Sequence, residues 1–191
     1  MGNFPLGGVF SCQLFSFVVR LNYDILKAIM VVRNEMKINL VAAGFEDLNT
    51  ILQMQIKAFA GLYAIYQDTK TSPATEKYED ILFRFNQPET IYYFITTNNM
   101  KVGVIRIVDF KDCITRKRIS PIFIMPEYRN KGYAQKAIKE AERIHGQQNW
   151  KLDTILQEKE NCHIYEKLGY HQTGKTEQVN NKMTLVFYEK D

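Results

Sequence analysis

An apolar run over residues 118–125 stops at Pro126, an amphipathic stretch runs from Gly132 to His145, and a β-rich run starts at Trp150. This strand–loop–helix–strand succession constrains the fold more than any other feature of the chain. Parallel strands need a crossover of this length, whereas antiparallel strands can be joined by a tight hairpin. Within 132–145, Ala134, Ile138, Ala141 and Ile144 or His145 share one face. Lys136, Lys139, Glu140 and Arg143 share the other. A helix patterned in this way lies on a sheet with its apolar stripe inward.

The flanking segments complete the pattern. Residues 38–43 read as a short strand, and Asp47 is placed to cap the helix after it. Leu48, Ile51, Leu52, Phe59, Leu62, Tyr63 and Tyr66 keep helical spacing to about Gln67. Thr71-Ser72-Pro73 breaks the chain, and Tyr78, Ile81, Leu82 and Phe85 mark a second helix ended by Pro88. Residues 90–97 and 101–110 are β-rich around Asn98-Asn99, a hairpin signal. In the next strand Pro121 cannot donate a ladder hydrogen bond, so a bulge or a local loss of pairing is expected there. Asn161 can cap a short helix ending at Gly169. Residues 171–179 and 182–189 form a last hairpin around Asn180-Asn181. The order β-αα-βββ-α-β-α-ββ predicts an α/β protein of the mixed-sheet (α+β) kind, a central mixed β-sheet flanked by helices.

Composition narrows the function classes. Hydrophobic residues make up 46% and charged residues 24%, which excludes disorder over the whole chain. Twenty-five Lys and Arg against 21 Asp and Glu leave a net charge of +4, too weak and too evenly spread to argue for nucleic acid or a membrane. Cys12, Cys113 and Cys162 form no CxxC pair, so neither a zinc site nor a thiol redox pair is suggested. Free thiols in a reducing cytoplasm are expected. Residues 1–35 stand apart as an N-terminal extension, with residues 36–191 as the domain. Residues 4–19 are apolar but too short for a membrane span. No Lys or Arg precedes Arg20, as a secretory signal requires. An extension upstream of the true start is the leading reading, and a membrane-associating or dimerising arm is the alternative.

Two loops look like phosphate cradles. Gly169-Tyr170-His171-Gln172-Thr173-Gly174-Lys175-Thr176 matches G-x-x-x-x-G-K-T to the letter. Its context is wrong, because a helix precedes it and a β-rich stretch comes after it, and such a loop must open a helix. Gly169 is better read as a left-handed glycine ending a helix. The second loop, 126–134, comes after a strand and opens a helix. There, successive backbone amides and the helix dipole suit an anion, with Arg129 and Lys131 adding charge.

The segment Ile122-Phe123-Ile124-Met125-Pro126-Glu127-Tyr128-Arg129-Asn130-Lys131-Gly132-Tyr133-Ala134 resembles the acyl-CoA-binding motif of the GNAT N-acetyltransferase superfamily. The core Arg/Gln-x-x-Gly-x-Gly/Ala is met by Arg129, Gly132 and Ala134. Tyr165-Glu166-Lys167-Leu168-Gly169-Tyr170 resembles the tyrosine helix of the same family, and the element order is also the family's. The match runs from Met36 to about Glu189.

The resemblance implies an acetyl-CoA-dependent N-acetyltransferase. The pyrophosphate is expected on the amides of Arg129, Asn130, Lys131, Gly132, Tyr133 and Ala134. The pantetheine arm is expected along Ile122, Phe123 and Ile124, and a backbone amide there would hold the acetyl carbonyl. Tyr165 would protonate the leaving thiolate. Asn161 is assigned to the cofactor, although the family's asparagine stands about two helical turns before the tyrosine and Glu158 is nearer that place. Some members use a glutamate on the motif strand as general base, and the neighbours of Ser120 offer none. Glu79 and Asp80 read as a solvated helix face, His163 as a surface or packed histidine, and His145 as a charge partner at its helix terminus.

The expected acceptor is a small amine in a pocket between the first two helices and the last hairpin. Tyr63, Tyr66, Tyr78 and Phe85 are candidates for its lining. No metal, nucleic acid or stable membrane insertion is expected. The expected location is cytoplasmic, and a homodimer is left open. The rivals are a protein or peptide N-acetyltransferase and a non-catalytic acyl-CoA-binding module.

Overall fold

The structure is a computed structural model and describes residues 25, 27, 37–112 and 114–191. The expectations for residues 1–35, Cys12 and Cys113 fall outside the described residues, apart from Ile25 and Lys27. The chain divides into two units between Lys37 and Ile38, and the sheet with its covering helices belongs to Ile38–Asp191.

Among the described residues the strands are β1 (Asn39–Ala42), β2 (Thr90–Thr97), β3 (Met100–Val108), β4 (Lys117–Ile124), β5 (Trp150–Ile155), β6 (His171–Gln178) and β7 (Thr184–Lys190). The helices are α1 (Leu48–Tyr66), α2 (Tyr78–Phe85), α3 (Tyr133–His145) and α4 (Lys159–Lys167). One sheet runs β1-β2-β3-β4-β5-β7-β6. Every neighbouring pair is antiparallel except β4 and β5, which the α3 crossover joins in parallel. The mixed sheet read from the sequence is the sheet observed.

Helices cover both faces. On one side Ala137, Ile138 and Ala141 of α3 and Leu168 after α4 pack with Ile105, Ile107 and Trp150 of the sheet. On the other, Leu48, Ile51 and Leu52 of α1 and Ile81 of α2 pack with Tyr92, Phe94 and Val104. Burying one such isoleucine fully contributes roughly 1.5–3 kcal/mol, so each helix is held by its apolar stripe rather than by propensity.

Local details decide several open points. Asn98 and Asn99 both take positive φ, as a tight hairpin requires. The inward position at the end of α3 belongs to His145, whose side chain is 2% exposed, while Ile144 is 43% exposed. His145 Nδ1 lies 3.0 Å from Asp109 Oδ2, and its Nε2 lies 3.0 Å from the Tyr93 hydroxyl. Burial outweighs the Asp109 carboxylate and pushes the imidazole below its ordinary pKa. A neutral ring fits both contacts, with Nδ1–H donating to Asp109 and Nε2 accepting from Tyr93. This buried set fastens the C-terminus of α3 to β2 and to the end of β3.

Two caps differ from expectation. Asp47 makes no side-chain cap to α1, because its carboxylate accepts the Gly44 amide at 3.1 Å and the Lys101 ammonium at 3.0 Å. Asn161 does not cap α4. The cap position is Glu158, and Asn161 lies inside the helix. Gly169 comes after α4 with φ +89°, in the left-handed conformation expected of it. Gly174 and Lys175 sit within edge strand β6, so the G-x-x-x-x-G-K-T stretch opens no helix.

Candidate active site

The site begins with a defect in the sheet. β4 pairs with β3 along its length but with β5 only at Lys117–Trp150 and Arg118–Lys151. Beyond Arg118 the two parallel strands separate. The β3–β4 register shifts opposite Arg106, where β4 carries one extra residue at Ser120–Pro121. The bulge expected at Pro121 is therefore present, and the strand bends away from β5 at that point.

Two clefts open from this splay. The first, of about 400 Å³, is walled by Ala58, Phe59 and Leu62 of α1 and by Ile122, Phe123 and Ile124. The loop Tyr128, Arg129, Asn130, Gly132, Tyr133 and Ala134 closes one end, and Glu158, Asn161, Ile164 and Tyr165 form the far wall. Ten of the residues assigned from sequence to the cofactor and to catalysis thus line one space. Lys131 lies outside the lining and stacks its ammonium 5.5 Å from the Tyr128 ring centroid.

The loop is shaped for an anion. Gly132 has φ +72° and caps α3 from the left-handed region, which favours glycine. A Cβ placed there meets nothing within 4 Å. The first turn of α3 leaves amides without intrahelical acceptors, beside the positive end of the helix dipole. Arg129 has a different role from the charge its sequence position suggests. Its Nη2 donates to Ala58 O at 2.6 Å and its Nε to Ile124 O at 3.2 Å, so the guanidinium ties the loop to α1 and β4. Its own amide donates to Pro126 O at 3.3 Å. The residues that fit an acyl-CoA are the unpaired stretch of β4, which can accept an extended arm, and the loop before α3, which can accept a pyrophosphate.

The second cleft, of about 430 Å³, lies on the other side of the splay, between α1, the 68–76 loop, β4, β5 and the β6–β7 hairpin. Tyr63 and Tyr66 line it as expected. Tyr78 and Phe85 instead pack into the core under α1 and α2. Its charged lining goes beyond the aromatic one expected from the sequence. Arg84 makes two 2.6 Å bonds to Glu76, and Arg118 bonds Asp153 at 2.6 Å. Asp68 accepts the amides of Lys70 and Thr71 and the Thr71 hydroxyl, which hold its carboxyl below the usual range despite burial. Arg106 reaches in from β3. The sequence signal for Arg106 is an arginine inside an otherwise apolar strand, and Asp68 belongs to a segment that reads only as a chain break.

Phe59, Leu62, Ile122, Asn161 and Tyr165 border both clefts. Tyr165 is 9% exposed, and its ring packs against Tyr170 and Tyr188. Its hydroxyl makes no hydrogen bond to a described residue. Burial, reinforced by the Asp153 charge, raises its pKa well above the ordinary phenol value. The phenol is therefore protonated throughout the physiological range. The Tyr66 hydroxyl donates to Glu158 at 2.6 Å across the top of the clefts, with its pKa pushed up to about 12, chiefly by burial and then by that carboxylate. His163 is exposed, as are Glu79 and Asp80. Among the described residues no His, Cys, Asp and Glu cluster suits a metal ion, and no helix is long and apolar enough to cross a membrane.

Comparisons with known proteins agree with this architecture. The family model described as the acetyltransferase (GNAT) family matches residues 59–170, more than half of the chain. No curated protein sequence matches. Among solved structures, the spermidine N-acetyltransferase from Vibrio cholerae in complex with CoA and spermine superposes with a TM-score of 0.62 at 16% identity. That match covers 79% of this chain and 93% of the other. The Microcin C7 self immunity acetyltransferase MccE, in complex with acetyl-CoA and AMP, gives 0.60 at 12% identity, over 80% of this chain and 91% of that one. RimL, a ribosomal L7/L12 alpha-N-protein acetyltransferase, gives 0.62 at 13% identity, over 79% and 88%. At such identities the likeness establishes the fold, and the matched model establishes the family. This chain, with its splayed β4 and glycine-capped α3, belongs to the GNAT acetyltransferase family.

Proposed function

We propose that the chain transfers an acetyl group from acetyl-CoA to a primary amine of a small molecule, both bound at once. The observation that carries this reading is the meeting of two clefts at Tyr165, one bordered by the anion-suited loop and the other by charged and aromatic groups. A bound acetyl-CoA supplies an activated thioester. The protein then has three tasks. The unpaired edge of β4 at Ile122, Phe123 and Ile124 holds the arm as an added strand would, and a backbone amide there faces the carbonyl oxygen as negative charge develops. The second cleft brings the amine nitrogen to the carbonyl carbon, which supplies much of the rate. Tyr165 gives its phenolic proton to the sulfur as the carbon–sulfur bond breaks, and the proton that the attacking nitrogen sheds leaves through water, from which the phenol is restored.

A cleft of only about 430 Å³ supports a small acceptor over a peptide, which needs an extended groove. The test is thermal unfolding of the full chain with acetyl-CoA and, separately, with ATP–Mg. A ligand at 100 times its dissociation constant stabilises by about 2.7 kcal/mol. Stabilisation by acetyl-CoA together with thiol release on adding an amine panel is the expected result. Stabilisation by ATP alone would overturn the reading, and so would binding of acetyl-CoA without transfer to any amine.

A further inference from the structure

The acceptor cleft contains one cation whose presence packing does not explain. Arg106 lies on β3 directly opposite Tyr92, on the sheet face where Val104 and Phe94 are buried under α1 and α2. It is 8% exposed, so more than nine-tenths of it is removed from water, and burial pushes its guanidinium pKa down. An arginine does not escape this by losing its proton, because its pKa stays far above neutrality. A buried charge of this kind is normally paired. Two ion pairs in the cleft obey that rule, Arg84 with Glu76 and Arg118 with Asp153, and Asp68 is held by two amides and a hydroxyl of its own turn. Arg106 is the one arginine among the described residues of the cleft without a carboxylate partner. Its Nε donates to the carbonyl of Ser120 at the β4 bulge, its guanidinium carbon lies 6.0 Å from the Tyr92 ring centroid, and no carboxylate pairs with it. Neither Nη makes a hydrogen bond to a described residue, and Arg106 is among the residues that line the cleft.

We infer that Arg106 binds an anionic group on the acceptor, so that the substrate class is an amine carrying a carboxylate or a phosphate. A planar guanidinium anchored through Nε presents a fork that suits either group in bidentate fashion. The position fits the task. Ser120 and Pro121, which Arg106 abuts, precede Ile122, where the two clefts meet. An anion held at Arg106 fixes one end of the acceptor and leaves its amine to reach the splay. A polyamine carries no group for the Arg106 fork to hold. Three arginines balance three carboxylates around the cleft, and once Arg84–Glu76 and Arg118–Asp153 are paired, Arg106 and Asp68 remain without a counter-ion, Asp68 already accepting two amides and a hydroxyl.

This inference rests on the acetyl-transfer reading and deepens it. The test uses the full chain, saturating acetyl-CoA and matched amines that differ in the anion: O-phosphoethanolamine against ethanolamine for phosphate, and amino acids against their amides for carboxylate. Spermidine is the cationic arm. Thiol release is measured for the natural chain and for Arg106→Gln. At least one anion-bearing amine is expected to exceed its neutral partner and spermidine in kcat/KM by about ten- to a hundred-fold. Arg106→Gln is expected to remove that advantage through KM, with acetyl-CoA stabilisation kept. The paired arms show whether carboxylate or phosphate is recognised.

Preference for spermidine or for the neutral amines would overturn the inference, as would an unchanged preference in Arg106→Gln. If Arg106→Gln does not fold, Arg106→Lys decides: it keeps the charge and loses the fork, and KM must still rise. If acetyl-CoA binds and no amine in any arm is acetylated, the transfer reading fails by itself. Binding then judges Arg106. O-phosphoethanolamine or an amino acid must raise the melting temperature of the natural chain with CoA bound and leave that of Arg106→Lys unmoved, and no rise in the natural chain would overturn the inference.

Discussion

The two clefts that meet at Tyr165 are built in opposite ways. The cleft proposed for the cofactor draws its loop and its open strand from one continuous segment, 122–134, braced by Arg129 against α1. The cleft proposed for the acceptor is assembled from α1, the 68–76 loop, α2, β3, β4, β5 and the last hairpin, with no two of its charged residues adjacent in sequence. A cradle for a constant ligand can be written in a single strand–turn–helix. A pocket for a particular acceptor is written wherever the fold happens to bring side chains together, and each of those positions can vary without disturbing the cradle.

Substitutions can break this contrast at either end. The largest effect on stability and cofactor binding is expected at Gly132. Gly132→Glu places a carboxylate in the anion loop, and the stabilisation of about 2.7 kcal/mol at 100-fold excess of acetyl-CoA should vanish. In a melting experiment that is a loss of roughly 5–10 °C of ligand-induced shift. Gly132→Ala carries the left-handed strain, about 1–2 kcal/mol of fold stability, without the charge, and should keep the shift.

A smaller effect is expected at Arg129, which acts on the cradle only by bracing it. Arg129→Ala removes two charge-assisted bonds from an exposed side chain, and a loss of about 1–2 kcal/mol in stability with a raised KM for acetyl-CoA is expected from unfolding and steady-state measurements. An unchanged KM would separate the loop from its brace.

The buried His145 adds a pH dependence that belongs to the fold and to neither cleft. Its folded pKa is depressed, so the unfolded chain takes up a proton near 6.5 while the folded chain resists doing so. Stability from this group is therefore fully present above about pH 6.5 and is lost as pH falls below it. Melting temperature should decline from about pH 7.5 to about 5.5, and His145→Phe should flatten that part of the profile. The smallest effect is expected at the look-alike loop. Lys175 lies over the Phe187 ring at 4.7 Å on an edge strand, so Lys175→Ala should cost no more than about 1 kcal/mol and leave the acetyl-CoA shift intact.

The same contrast explains what can be read from the sequence. The order of elements, the bulge at Pro121, the left-handed Gly169 and the placement of Gly132 all come from local pattern, and the structure holds each of them. Context rejects the G-x-x-x-x-G-K-T match, since no helix comes after it, and it lies on an edge strand. Local pattern fails where tertiary partners compete. Asp47 and Asn161 sit at plausible caps, yet Lys101 takes the first and α4 begins earlier than the second. Tyr78 and Phe85 share helical spacing with Tyr63 and Tyr66, but only the latter two reach the pocket. Arg106 is legible only as an oddity in an apolar strand, because its meaning depends on Tyr92, Ser120 and the lack of a counter-charge, none of which a local window contains.

If the clefts hold two substrates on either side of one proton donor, Tyr165→Phe tests that arrangement most directly. The ring stays and only the hydroxyl leaves, so the packing with Tyr170 and Tyr188 is retained. Thiol release with an amine that the natural chain accepts should fall by about 10²–10⁴ in kcat, with acetyl-CoA stabilisation and the acceptor KM unchanged. Turnover equal to that of the natural chain would contradict the account, because the residue where the clefts meet would then have no part in the chemistry.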